Sequence, residues 1–406
     1  MPIKQISLFE FLLLTAVVTV LTVSTAWVYP IWDDARLLVL IGESGDAAIR
    51  GDLDSRVLLS HFFIFLSHRG LFLPVGLVLH WMSWFGMGLV TLRFWQMTFP
   101  AHARFALLPA ILSVTPILCK VQFVVMSVVF IDVIEPVLAF CGILLLMSER
   151  WRGRRRILVT AGSLFLIVVA CLLSEYGVAT AAVGCVLLFG KALRTAGAGK
   201  RESMILALLV SACPFVSYIV FSILAASAAS PPYQASFAIL SLFGNIQLIP
   251  FRLISGIWRG VIGAYLESLG SITVYGKAPL LSFFSGAILS AMVTFAVYRR
   301  RADASPAGRD WPTALTLLVA TVIGVLPFLL MNRTLETYWD SRFWLPAMPL
   351  VSSLTVYLLL SVVRKRLWIL VPICCGFLAG YWTTTEIIRT HKNQVPPFSI
   401  LAIPKK

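Results

Sequence analysis

Apolar residues in this chain fall in long continuous blocks separated by short polar clusters. The blocks are close to the roughly 20 residues that cross a bilayer as a helix rising about 1.5 Å per residue. They do not alternate, so the pattern predicts helices and not a β-barrel. About eleven spans are predicted, at 6–29, 71–92, 104–119, 133–148, 157–173, 176–190, 203–228, 280–298, 312–331, 345–363 and 367–385. Two apolar stretches fit no simple span. Residues 57–67 are too short, and 237–266 are interrupted by Gly244, Pro250, Arg252, Gly256, Arg259 and Gly260. Both read as helices lying at the interface or re-entering the protein. The expected fold is all-α: a polytopic helical bundle forming one membrane domain over 1–406, with interfacial helices in the first outer loop and in 229–279. The apolar run after Lys4 continues to Tyr29, longer than a signal-peptide core, so an uncleaved first helix is expected.

Composition agrees with the blocks. The chain is 59% hydrophobic and 13% charged, against about 25% charged for a soluble domain. The net charge of +15 comes from short clusters between apolar blocks, not from a basic domain with interleaved aromatics. That distribution is a topology signal and argues against nucleic-acid binding. The seven cysteines lie in or beside apolar blocks without CxxC spacing, so they read as small buried hydrophobes and not as disulfides or a zinc site. His61, His68, His80, His102 and His391 have no ligand spacing. No cofactor or metal is expected.

Charge then orders the two sides. With Lys4 in the cytoplasm, the cytoplasmic loops are Arg93–Arg104, Glu149–Arg156, Lys191–Glu202, Arg299–Asp310 and Arg364–Arg366. With Lys4, they hold 19 of the 33 Lys and Arg residues, and four of the 18 acids. Glu10 sits in the first helix, and the other 13 acids fall outside. The expectation is N-terminus in and C-terminus out. The cytoplasmic loops are too short for a folded domain. The outer face carries the long segments 30–70, 229–279, 332–344 and 386–406, so any chemistry is expected there.

Several outer residues carry candidate chemistry, each with a plainer alternative. Asp33-Asp34 follows the first span directly. The pair reads either as helix capping and solubility or as catalytic carboxylates. Asp132 and Glu135 flank the start of the fourth span, with Lys120 upstream. Charges at such depth mark a site, or form an ion pair with Lys120. Ser174-Glu175-Tyr176-Gly177 divides a long apolar run. A simple turn would use Asn, Gly or Ser, so Glu175 is either a site residue or an interfacial one. Residues 332–346 hold Arg333, Glu336, Asp340 and Arg342 among Tyr338, Trp339, Phe343 and Trp344. They read as an aromatic belt with snorkelling arginines, or as a phosphate site built on the planar guanidinium.

Three of these features together resemble the GT-C superfamily of polytopic glycosyltransferases, which use polyprenyl-phosphate-linked sugars. They are Asp33-Asp34 in a long first outer loop, the Ser174-Glu175-Tyr176-Gly177 break, and Ser341-Arg342-Phe343-Trp344-Leu345-Pro346 followed by Pro349. They occur in the family's order and on one predicted face. The resemblance implies a GT-C-like bundle in a bacterial inner membrane and inverting sugar transfer to a glycan, lipid or protein acceptor. Asp33 would be the catalytic carboxylate, with Asp34 as its acidic neighbour. Arg342 would hold the donor phosphate beside Glu175 and Tyr176. Lys120, Asp132, Glu135, Arg333 and Asp340 are candidates to line the cavity. The sequence departs from the family in having Asp34 where Glu is common, and Ser174 where a basic residue is usual.

Two other classes compete. A lipid-linked saccharide transporter or flippase would show internal repeats and mid-membrane charges. No clear repeat is visible. An O-antigen-type polymerase would lean on outer-loop arginines more than on a carboxylate pair.

Overall fold

The computed structural model describes residues 6–26, 62, 65–66, 68–69, 71–114, 129–148, 153–225, 246–263, 310–330, 335 and 340–363. Every regular element among them is helical. In chain order these are α1 (Leu8–Ala26), α2 (Phe72–Thr98), α3 (Leu107–Val114), α4 (Val129–Met147), α5 (Gly153–Leu173), α6 (Glu175–Arg194), α7 (Ala198–Ala225), α8 (Ile249–Ser255), α9 (Trp311–Leu330) and α10 (Met348–Val363). Six helical stretches among the described residues are long and apolar enough to cross a membrane, as an integral membrane protein requires. The spans expected at 280–298 and 367–385, most of the loop 30–70 and the tail 386–406 lie outside the described residues.

Local chemistry explains the helix ends. Ser7 and Glu10 form a reciprocal capping box on α1: the Ser7 N–H donates to Glu10 Oε2 at 3.0 Å and the Glu10 N–H donates to Ser7 Oγ at 3.2 Å. The single acid of the first span is therefore its cap. Helix α2 runs past its expected end at 92, because Phe94 and Trp95 are fully buried and extend its packing face. It stops where Pro100 forces the preceding Phe99 out of helical geometry. Trp95 Nε1 then donates to the His102 carbonyl at 2.7 Å and holds the following 3₁₀ turn, Pro100–Phe105.

Helices α4, α5, α6 and α7 pack as a cluster, and α6 joins it to α9, which packs in turn on α10. Burial separates inner helices from outer ones. About 72% of the α10 window and 61% of the α6 window are buried, against 22% for α5 and 28% for α7. The open faces of α5 and α7 are apolar, with Ile157, Phe165, Leu208 and Phe215 all exposed. Such faces suit lipid and not water. Close packing uses glycine where backbones meet: a Cβ on Gly142 of α4 would lie 2.6 Å from the Ser163 carbonyl of α5. Segment 237–266, expected to be interfacial or re-entrant, shows three short helical pieces over 246–263, none long enough to span.

The basic clusters share one end of the bundle. Arg156 donates to the Leu146 and Ser148 carbonyls at the end of α4 and pairs with Glu202 of α7 at 2.7 Å. Lys191 donates to the Met147 carbonyl at 2.8 Å. Arg194 reaches Thr313 at the start of α9, where Asp310 caps the helix. The Asp310 N–H donates to the Tyr357 hydroxyl, and the Tyr357 ring stacks on Phe99. Four expected cytoplasmic loops thus meet through one connected set of bonds. Cations here also satisfy carbonyls at helix C-termini, where the macrodipole favours them.

Candidate functional site

At the opposite end, four consecutive residues form the α5–α6 turn, each with a different task. Ser174 has an extended backbone and caps α6, its Oγ accepting from the Tyr176 N–H at 3.2 Å. A serine hydroxyl also has one proton to give, and Ser174 donates it to Glu135 Oε2 on α4. Glu175 opens the helix, partly exposed, where the positive end of the macrodipole favours a carboxylate. Among the described residues no side chain pairs with it. The Tyr176 ring is buried, 5.2 Å from Phe328 and 6.2 Å from Phe343. Gly177 is required by space, because a Cβ there would collide with the backbone of Ala170.

The acids of α4 lie differently from the sequence expectation. The sequence puts the start of the fourth span at 133, between Asp132 and Glu135. The helix instead begins at Val129 and carries both acids within it, fully buried. Their spacing of three puts them on one side of the helix. Buried carboxylates are costly unless hydrogen-bonded, and the Ser174 hydroxyl meets part of that need at Glu135. Pro136 follows directly, and its missing N–H removes the usual helical partner of the Asp132 carbonyl. The missed signal is hydrophobic continuity: Val129, Phe130 and Ile131 already extend the span upstream of the first charge. Lys120 lies outside the described residues.

Arg342 belongs to a 3₁₀ segment, Asp340–Ala347, that leads into α10 and packs against both α4 and α6. Its guanidinium carbon sits 5.3 Å from the centre of the Phe343 ring, a cation–π distance. Phe343 is stacked on Phe328 at 4.7 Å, and Trp344 donates to the Leu335 carbonyl at 3.3 Å. Both aromatics are core residues, 3% and 1% exposed. The aromatic-belt reading therefore fails for Phe343 and Trp344. Arg342 is partly exposed.

Three motifs far apart in sequence thus meet at one end: the acids of α4, the Ser174–Gly177 turn and the Arg342 segment. Arg252 of α8 joins them by donating to the Leu329 carbonyl at 3.4 Å. The sequence showed it only as a cation interrupting an apolar stretch. Asp33, Asp34 and Arg333 lie outside the described residues, and Asp340 is the first residue of the Arg342 segment.

The parts differ in what they can do. Glu135 is sealed from solvent and bonded to a cap, which suits a holding role more than attack on a substrate. Glu175 and Arg342 both retain some exposure, so among the described residues this end presents a carboxylate and a guanidinium to its surface. The guanidinium matches phosphate oxygens in shape and charge. Among the described residues no group of three or more His, Cys, Asp or Glu gathers as a metal site would need. No protein-family model, no curated protein and no solved structure matches the chain.

Proposed function

We propose that the chain is a membrane glycosyltransferase of GT-C type. It moves a sugar from a polyprenyl-phosphate donor to a glycan, lipid or protein acceptor at the end of the bundle away from the basic clusters. The observation that carries this reading is the meeting of the Ser174-Glu175-Tyr176-Gly177 turn with the Arg342 segment through the Tyr176–Phe343 stack. Both motifs belong to the resemblance, and their contact gives one site a carboxylate and a phosphate-binding cation. In this scheme Asp33 removes the acceptor proton, worth typically 10²–10⁴-fold, with Asp34 beside it. Arg342 stabilises charge developing on the departing lipid phosphate. The site faces the non-cytoplasmic side of a bacterial inner membrane, with the N-terminus in the cytoplasm. The test is Asp33→Asn in a deletion strain, read by mass spectrometry of surface glycans. Loss of a glycan species at normal membrane levels of the protein supports the proposal. A full parental glycan profile from that variant refutes the assigned base.

A second reading, a lipid-linked saccharide transporter, draws on the burial of Asp132 and Glu135 within a membrane helix. It expects donor accumulation on one leaflet and no new glycosidic bond in reconstituted vesicles. The transferase reading expects the bond.

A further inference from the structure

At the basic end, on the lipid side of the bundle, helices α5 and α7 diverge around an open groove of about 990 Å³. This is the upper end of the range for pockets that take drug-sized ligands. The groove has two chemically distinct parts. Its walls are apolar, formed by Ile157 and Leu164 of α5 and by Ile205 and Leu209 of α7. Three of these four side chains are themselves exposed: Ile157 at 70%, Ile205 at 50% and Leu209 at 40%. Its mouth is charged and holds Arg156, Arg201 and Glu202.

The mouth has an unspent positive charge. Arg156 and Glu202 neutralise each other at 2.7 Å, and Arg156 is further fixed by two carbonyls of α4. Arg201 lines the same mouth, exposed, and no described residue pairs with it. Arg154 and Arg155 stand exposed at the start of α5, and Lys200 precedes Arg201. The start of α7 lies here too, so its macrodipole adds the same sign. An apolar slot within the membrane, open to lipid and capped by a net positive mouth at its end, is complementary to one class of molecule. Basic pockets between membrane helices hold anionic headgroups in this way.

We propose that the α5–α7 groove is a binding site for an anionic glycerophospholipid. An acyl chain lies between Ile157, Leu164, Ile205 and Leu209, and the headgroup phosphate lies against Arg201. The Arg156–Glu202 pair is the rigid rim of the site and not its anion binder, because its charges are already matched. The site stands at the opposite end from Arg342 and does not depend on the transferase reading.

The test uses the purified full chain reconstituted with equal amounts of phosphatidylglycerol and phosphatidylcholine, with retained lipid counted by native mass spectrometry. Wild-type protein is expected to retain phosphatidylglycerol over phosphatidylcholine. Arg201→Gln is expected to lower phosphatidylglycerol retention about fivefold, the factor one basic residue contributes near an anionic surface, and to lower phosphatidylcholine retention less, because choline offsets the charge of its phosphate. Ala161→Trp fills the groove from an exposed position and is expected to lower retention of both lipids. Added inorganic phosphate is expected not to displace the lipid, because it lacks the chain. Equal retention of the two lipids by wild type overturns the proposal, as does unchanged phosphatidylglycerol retention in Arg201→Gln. Unchanged retention of both lipids in Ala161→Trp overturns the placement of the chain. Displacement by inorganic phosphate assigns the mouth to a free anion and overturns the lipid.

Discussion

Ser174 and Glu135 form a bond that ties the turn between α5 and α6 to a carboxylate buried in α4. The Ser174 hydroxyl donates to Glu135 Oε2 and accepts from the Tyr176 N–H. One oxygen therefore caps a helix and satisfies a buried carboxyl oxygen. Ser174→Ala removes both functions at once. The cap is worth about 1 kcal/mol, and the lost hydrogen bond to a buried carboxyl roughly 0.5–1.5 kcal/mol more. The variant is expected to melt at lower temperature in detergent. Glu135→Gln keeps an acceptor for the hydroxyl and is expected to lose less than Glu135→Leu. A Ser174→Ala protein with wild-type melting would show that the bond holds nothing.

The glycines of α4 and α5 give a prediction of opposite outcomes. A Cβ on Gly142 would sit 2.6 Å from the Ser163 carbonyl, a backbone atom that cannot step aside. Gly142→Ala is expected to push the two helices apart and cost roughly 1–3 kcal/mol, as overpacking does. Gly162 on α5 has nothing within 4 Å of its added Cβ. There alanine is expected to be neutral or stabilising, by at most about 1 kcal/mol of helix propensity. Paired thermal melts check this. Equal melting of the two variants would contradict the close α4–α5 crossing.

Much of this fold was legible in the sequence, for a physical reason. A membrane span must be apolar over its whole length, so α9 follows from composition to within a residue at each end. Helices α5 and α6 were placed but begin or end beyond the expected 157–173 and 176–190, where basic residues continue the helices. The edges were less legible, because helical geometry extends wherever packing continues. Helix α2 ran on through Phe94 and Trp95, and α4 began before Asp132. Part of the site was legible as well. Ser174, Glu175, Tyr176 and Arg342 were singled out as chemistry-bearing, but their contacts with one another were not, since periodicity says nothing about which helix ends meet. Tyr176 and Phe343 resemble interfacial aromatics in sequence and are core in the fold. Only three-dimensional packing separates those two fates.

The Tyr176–Phe343 stack is the link between the turn and Arg342. Offset aromatic pairs contribute about 0.5–1.5 kcal/mol beyond area burial. A double-mutant cycle of Tyr176→Leu and Phe343→Leu is expected to give a coupling energy in that range. Phe343→Leu also removes the ring under the Arg342 guanidinium. Under the proposed function it should weaken donor use while leaving acceptor use nearly unchanged. A coupling energy near zero would break the link between the two motifs, whatever the activity.

The sidedness of the bundle has a direct check. The contacts of Arg156, Lys191, Arg194 and Asp310 gather the basic loops at one end, which the proposed orientation puts in the cytoplasm on the positive-inside bias. Arg155 is exposed there and contributes none of these bonds, so Arg155→Cys is a suitable reporter. Gly153 is not, because its φ of +57° disfavours any side chain. Asp46→Cys reports on the first outer loop. Of the seven native cysteines, Cys141, Cys171, Cys185 and Cys213 lie within apolar helices and give little background to a charged thiol reagent, and Cys119, Cys374 and Cys375 are replaced by serine in both reporter variants. In intact cells, a membrane-impermeant reagent is expected to label position 46 and to reach position 155 only after permeabilisation. The reverse pattern would turn the bundle over. It would place Arg342 and Glu175 in the cytoplasm and remove the non-cytoplasmic acceptor from the proposed reaction.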